Sequence, residues 1–512
     1  MNYDNIVRWL TLGVTVAFFV LLVLAVINGL RRGIFRSTVR TVTIVLAIPV
    51  AILLLNLIKR TALFEKLSSF VDFSQLGIED DVLAGNAEVL AKAIISPLAF
   101  AVIFYLVSKV FYFIYLIIKL VFGKKIGCGI IDKGVSRSVG ALISLLGALV
   151  TFFGVFCPVN GYIGCLAEAK NYVENNAENE QIIEVCDSAK ETRSHFIFSL
   201  CDKMSDDIFS SLTKIEYKSL GGEKTYKSSL SSEVFGTLEI LPEIKNLASM
   251  AESQEIDYDL LKSSIKGIDE YEGENDIYTA KIIVCYVTRR IGEEAPSYFD
   301  GYDPKYLTAV SPLFDEMKAC NEENASQKLL CAINVFSALD KMQAYLDLLN
   351  AKTATGDGTA VEEIVKYIEA DGWENYTKKM IRNCVEDNTN ENVESFSEIA
   401  ISILDNLYKI KESGGNLSEE CEKADKTFIA TYNCIKHKNS LTVAEAQEMI
   451  ESVVGSSAIS TALEEVKDKN VTLDNLQPSD VEKIKETLLA EKTTENENVI
   501  SAIASIFDIE LT

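Results

Sequence analysis

Residues 9–33 read WLTLGVTVAFFVLLVLAVINGLRRG. From Trp9 to Leu30 the chain runs 22 residues without a charge, then meets two arginines and a glycine. At 1.5 Å of rise per residue, about 20 apolar residues cross the ~30 Å hydrocarbon layer of a bilayer. The apolar part of a cleaved leader is shorter, about 7–15 residues, and a small-residue cleavage site follows it. Here the run ends in Gly29-Leu30-Arg31-Arg32-Gly33. A retained membrane helix is therefore expected.

Three more apolar runs follow: Thr41 to Ile58, Ala93 to Ile118 interrupted only by Lys109, and Ser138 to Ala167. Spans are expected at about 9–30, 41–58, 93–112 and 138–158. Pro158 is expected to end the fourth helix, because its ring clashes with the preceding turn. Gly140, Ser144, Gly147, Ala148, Thr151 and Gly154 place small side chains at spacings of three, four and seven. Such a face lets membrane helices approach closely. Lys109 has two readings. Inside the bilayer it marks a polar pathway, since intramembrane charge is costly and usually functional. Alternatively the span ends near Tyr112, the lysine snorkels, and residues 110–122 emerge along the head groups with Tyr112 and Tyr115 at that depth.

The charge balance changes near residue 160. Residues 1–158 carry 15 Lys and Arg against 8 Asp and Glu. The other 354 residues carry 34 and 66, out of 49 and 74 in the whole chain. The fold class read from this is all-α: a four-helix polytopic membrane domain over 1–160, then a mainly helical acidic domain over 161–512, with a sub-boundary near 350–360. The acidic part lacks the basic footprint that nucleic acid requires, and anionic lipid surfaces repel it.

Basic residues near the span ends set orientation. The first connection holds Arg31, Arg32, Arg36 and Arg40; the third holds Lys119, Lys124, Lys125, Lys133 and Arg137. Opposite these nine stand five, Arg8, Lys59, Arg60, Lys66 and Lys92, diluted by six acidic residues between Glu65 and Glu88. The nine belong in the cytoplasm. Both termini and residues 161–512 are then expected outside the inner membrane.

The first helix running into Gly29-Leu30-Arg31-Arg32-Gly33-Ile34-Phe35-Arg36 resembles the CvpA family, the colicin V production proteins. The segment from Asp132 through Arg137, Gly140, Ser144 and Gly147 is similar to a second family motif, an Arg-led entry with glycines seven apart. The short segment between spans two and three also fits. The resemblance covers about residues 5–158. It implies a multi-pass inner-membrane protein of the bacterial envelope, associated with toxin production or export and envelope maintenance. It brings no catalytic residues, and the appended 350 or so residues depart from the compact family pattern.

In the acidic part, helices are expected at 327–350, 359–370, 394–411 and 421–436, and short strand pieces around 214–240. Thr442-Val443-Ala444-Glu445 and Ser479-Asp480-Val481-Glu482 have the form of capping boxes. Gly221-Gly222, Gly356-Asp357-Gly358 and Gly414-Gly415 read as loops. Of 11 cysteines only Cys128 falls in a cytoplasmic loop. The other ten fit disulfides in an oxidising compartment, and equally fit small buried apolar residues in a domain large enough to need no staples.

Catalytic motifs are missing. His195 and His437 stand in no metal-ligand pattern, Gly455-Ser456-Ser457 lacks the second glycine of a nucleophile elbow, and no phosphate-binding loop occurs. No catalytic, cofactor or metal residue is assigned, and an enzyme is not expected. The leading expectation is a membrane-anchored assembly protein whose partners are the lipid bilayer and either a second copy or a transport or secretion component. A small transporter or channel with Lys109 in its path is the alternative. An envelope enzyme in the outer domain is the third reading.

Overall fold

Lipid offers no partner for backbone N–H and C=O groups, so the uncharged runs can bury themselves there only as helices. The computed structural model describes residues 3–61, 64, 66, 81–122, 133–173, 180–221, 224–252, 257–388, 394–454, 463–464, 466–493, 500–501, 504 and 506–511. Almost every described element is helical. The chain divides into two compact units. The first comprises Met1–Glu255, Gly267–Tyr286 and Asn321–Glu323; the second comprises Ile256–Lys266, Val287–Cys320 and Asn324–Thr512. The charge break near residue 160 lies inside the first unit, and the stretch 350–360 lies inside the second.

The first unit opens with α1 (Tyr3–Ile58), α2 (Asp81–Phe122) and α3 (Lys133–Ala169). Three helical runs in them, Val7–Ile58, Asp81–Ile118 and Gly134–Tyr172, are long and apolar enough to cross a membrane. Thus α1 takes in two of the four apolar runs. The arginine segment 31–40, expected as a connection, is helical apart from Gly33, whose φ of 70° and ψ of 179° break the run. A positive φ costs glycine nothing and would strain any side chain.

The two arms of α1 both lie along α3. On the first arm, Phe18 packs edge-on against Phe152 with centroids 4.9 Å apart, and Gly29 backs onto Gly140 and Ala141. On the second, the Thr41 hydroxyl donates to the Ile143 carbonyl at 2.9 Å, beside Gly147. Following α3 from Gly140 to Phe152, the first arm is met in descending order and the second in ascending order. The arms therefore run antiparallel, folded back at Gly33.

One other expectation is corrected. Pro158 sits inside α3, which continues to Ala169; Pro49 and Pro97 likewise sit inside α1 and α2. Proline removes one ladder bond, and packing among neighbouring membrane helices tolerates that loss. The helix that holds the third apolar run continues through residues 110–122 to Phe122. Lys124, Lys125, Cys128 and half of the segment between the second and third apolar runs lie outside the described residues.

After α3 come α4 (Glu180–Ser194), α5 (Phe196–Leu200), α6 (Asp202–Leu212), an antiparallel hairpin of β1 (Lys214–Lys218) and β2 (Thr225–Ser229), α7 (Leu230–Glu239) and α8 (Leu241–Glu252). The hairpin, with Tyr217 opposite Tyr226, holds the strand pieces the sequence foresees. Asn86 on α2 matches the β1 edge as a strand would: its amide donates to the Lys218 carbonyl at 2.7 Å and accepts from the Lys218 N–H at 2.8 Å.

Helices α9 (Tyr258–Asp269) and α10 (Tyr278–Glu294) contribute to both units. The second unit continues with α11 (Pro304–Lys318), α12 (Ala325–Asn350), α13 (Thr359–Lys366), α14 (Lys378–Asn388), α15 (Glu394–Ser413), α16 (Leu417–Lys436), α17 (Val443–Val454) and α18 (Pro478–Glu491). Its core gathers Tyr345, Trp373, Phe396 and Phe428, all fully buried. Side chains decide where its helices stop. The Lys411 ammonium donates to the carbonyls of Val365, Lys366 and Ile368 at 3.3, 3.2 and 2.8 Å, so α13 ends before 370. The Thr442–Glu445 capping box forms, with the Glu445 N–H donating to the Thr442 hydroxyl at 3.3 Å and the Thr442 N–H to the Glu445 carboxylate at 2.9 Å. The second box does not cap: α18 starts two residues earlier than Ser479 would set it, with Gln477 as cap and Pro478 in the first turn, where a missing N–H costs nothing.

Asp405 on α15 accepts from the Trp373 indole at 2.8 Å and pairs with Lys378 at 3.0 Å and Lys409 at 2.9 Å. Burial pushes its carboxyl up, but the indole and the two ammonium groups outweigh that and bring it down to about 2. An unfolded aspartate titrates near 3.9. The stabilisation is therefore present above about pH 4 and is lost as pH falls towards 2. Asp405→Ala is expected to lower stability by about 2 kcal/mol at pH 7. Denaturant titrations followed by Trp373 fluorescence in a Trp9→Phe background should show the gap closing by about pH 2; a pH-independent gap would contradict the assignment.

Candidate functional site

The seam between α1 and α3 is where the motif residues meet. Gly29, Gly140 and Gly147 are buried, as is Ser144. A Cβ at Gly29 would stand 2.5 Å from the Ala141 Cα and the Gly140 oxygen. One at Gly140 would stand 2.5 Å from the Gly33 carbonyl carbon, and one at Gly147 2.6 Å from the Thr41 hydroxyl. The first two clash with backbone, which cannot rotate aside. Backbone-on-backbone packing of this kind compensates in lipid for the absence of a hydrophobic drive between helices. Ser136 adds a cap: its hydroxyl accepts the Ile34 N–H at 3.3 Å, one of the orphan donors opening the second arm.

The basic residues gather at the Gly33 end. The guanidinium groups of Arg32 and Arg40 lie 5.9 and 5.6 Å from the Tyr112 ring of α2. Arg137, one residue after the capping Ser136, is exposed, as are Arg31 and Arg36. Lys109, about one turn from Tyr112, is exposed on the outer side of α2 with its ammonium 4.9 Å from the Tyr105 ring.

At the other end of α3 the contacts are polar and buried. Asn160, 1% exposed, donates to the Ser205 hydroxyl at 3.0 Å and to the Cys201 sulfur at 3.7 Å, while its Oδ1 has no protein partner. Arg193 of α4 donates to the Gly164 carbonyl at 3.2 Å and pairs with Glu168, Asp202 and Asp206 at 3.2, 2.8 and 2.6 Å. One guanidinium thus fastens α4 and α6 to the end of α3, its fixed fork reaching three carboxylates. The Lys59 ammonium donates to the Leu212 carbonyl at 3.4 Å, and the Tyr162 hydroxyl donates to that of Ile94.

Beside the hairpin, Glu233 is buried and accepts from the Thr279 N–H and hydroxyl at 3.1 and 2.8 Å. Burial outweighs those two bonds and holds its carboxyl above the usual range. Asp276 accepts from Ser228 and Ser232 at 2.8 and 3.1 Å, and the Tyr217 hydroxyl bonds that of Thr279 at 2.8 Å. Every one of these bonds ties α7 or the hairpin to residues 276–279. They make a lock between elements.

The second unit contains a cavity of about 210 Å³ lined by Leu349, Lys352, Ala354, Ile429, Asn433, His437 and Met449. The other histidine, His195, is the exposed residue before α5. The disulfide alternative is not realised for Cys157, Cys165, Cys186, Cys201, Cys331, Cys384, Cys421 and Cys434, which are free thiols, all buried except the half-buried Cys165. Burial pushes Cys384, Cys421 and Cys434 up to about 12, so they stay protonated and unreactive. Among the described residues, no group of three or more His, Cys, Asp and Glu stands ready to hold a metal ion.

Set against protein-family models, curated proteins and solved structures, the chain matches none.

Sequence reading singles out the glycine face and the basic end but misses Asn160, Arg193 and Glu233. Asn160 leaves a visible trace, as the lone amide in the fourth apolar run. Arg193 and Glu233 look like any charge on an exposed helix.

Gly140→Leu is expected to lower stability by at least about 1–3 kcal/mol through overpacking. Gly13→Leu, at a position with nothing within 4 Å of its Cβ, should be close to neutral. Thermal unfolding in detergent, followed by circular dichroism, compares the two; equal midpoints would show that the seam is not tight.

Proposed function

We propose that the chain is a membrane-anchored assembly protein of the CvpA type, with the four apolar runs crossing the inner membrane separately. Three helical runs long and apolar enough to span are present. The observation that carries the four-span reading is the reversal at Gly33: antiparallel arms along one helix cannot be a single crossing. The CvpA reading draws support from the meeting of its two motif segments, since Gly29 and Gly33 pack against Ser136 and Gly140.

The same geometry supports an orientation. Arg32, Arg40 and Arg137 stand at the Gly33 end, which belongs in the cytoplasm by the bias of basic residues. Segments α4 to β1 contact the opposite end, through Arg193, Asn160 and Asn86, so the acidic region belongs outside. Lys109, exposed on the outer side of α2 about one turn from Tyr112, favours the interface reading over a transport path. The function is to hold this region at the outer surface, in complex with a second copy or a transport or secretion component, in toxin export or envelope maintenance.

Reporter fusions after residues 35, 75, 128 and 300 test the arrangement. Only the fusions after 35 and 128 should report the cytoplasm. Cytoplasmic readings at 75 and 300 with 128 outside would overturn this orientation, and a fusion after 35 reporting the same side as 75 would remove the reversal. For the assembly role, crosslinking in intact cells should give a defined oligomer or partner complex that Gly140→Leu weakens. A strictly monomeric product would argue against it.

A further inference from the structure

The short helix α5 stands beside the apolar helices at a depth where lipid is expected. Ile197 and Phe198 are fully buried against Phe18 and Phe152, with Val14, Leu22, Leu149 and Phe156 around them. The Phe198 ring meets Phe156 edge-on at 5.1 Å. Measured along α3 from Ser136, beside the Gly33 turn, Phe152 and Phe156 stand about 24 and 30 Å away at 1.5 Å per residue. Along the first arm, Leu22 and Phe18 stand about 16 and 22 Å from Gly33 on the same scale. The uncharged run Thr41 to Ile58 of the second arm covers about 12 to 37 Å. Phe18, Leu22, Phe152 and Phe156 under α5 therefore lie within the uncharged interval.

The opposite face of this segment is apolar and uncovered. Phe196 and Leu200 stand four residues apart, about one helical turn, and are 64% and 54% exposed. The polar clamp sits further out. Arg193 holds the Gly164 carbonyl, about 42 Å from Ser136, and pairs with Asp202 just after α5. Charges thus flank a dip of apolar residues on both sides in the chain. The turn out of the dip is satisfied internally, since the Cys201 N–H donates to the Phe198 carbonyl, as a segment within hydrocarbon requires.

We infer that α5 is a re-entrant element whose face of Phe196 and Leu200 is covered by the acyl chains of the outer leaflet. Its buried side packs on Phe18 of α1 and on Phe152 and Phe156 of α3, within their uncharged runs, so the occupant of the exposed side is lipid. Arg193, Asp202 and Asp206 form its head-group anchor. This rests on the membrane-spanning reading above.

Photocrosslinking of the full chain in phosphatidylcholine vesicles tests it. The variants are Phe196→p-benzoylphenylalanine and Leu200→p-benzoylphenylalanine, both at exposed positions that no packing depends on. The same replacement at Leu142, exposed within the uncharged run of α3, reports lipid, and that at Lys227 on the exposed side of β2 reports water. Adducts carrying one phospholipid are expected at 196 and 200 as at 142, roughly tenfold above 227, as for an interfacially inserted helix. Labelling at 142 with 196 and 200 at the level of 227 would overturn the inference and leave the membrane reading standing. Absence of lipid adducts at 142 as well would overturn both.

Discussion

The constraint on which the first unit depends is the closeness of two backbones. Where Gly29 and Gly33 meet Gly140 and Ala141, a single Cβ would stand 2.5 Å from main-chain atoms. That approach fixes the register of three helical segments at once, because both arms of α1 leave the contact in the same direction along α3. The reversal itself needs one residue with a positive φ. Without a side chain, Gly33 provides the torsion and the clearance together, and Ser136 supplies the hydrogen bond that the second arm would otherwise lack.

Once the register is set, the two ends of the helical assembly acquire opposite characters. The turn end collects arginines around Tyr112. The far end collects Asn160, Arg193 and Asn86, each tying a distant stretch of chain to a membrane helix. Charged and amide groups at both ends, with uncharged faces between, match a layer that is wet at its surfaces and dry in the middle.

In the second unit, helix lengths answer to side chains far away in sequence. Lys411 terminates α13 by occupying its last carbonyls. Buried Asp425 accepts from the Gly358 N–H at 3.2 Å and from the Tyr345 hydroxyl. Gly358 takes a φ of 81°, and a Cβ there would meet the Glu422 nitrogen at 2.5 Å. The loop at 356–358 is thus a tight internal joint. The thiols of Cys384, Cys421 and Cys434 pack as small apolar groups in the same core.

Much of this was legible in one dimension. Uncharged runs, small residues at helical spacing, the Thr442 capping box and the strand pieces near 214 are local, and local residue choice sets them. The asymmetry of basic residues was legible too, as a count. The turn between the first two runs was also legible, but not its form: the helix continues on both sides of Gly33 and one torsion carries the reversal. Nor was the passage of α3 through Pro158, which depends on what surrounds the helix. Asn160 and Ser205 are 45 residues apart, and no pattern announces their meeting. The charge break falls inside a compact unit for the same reason: hydropathy records the solvent each residue prefers, whereas compactness records which segments touch. Residue chemistry therefore settled the class of element and its medium, and long-range packing alone decided how the chain turns, which ends join and what lies exposed beside the membrane.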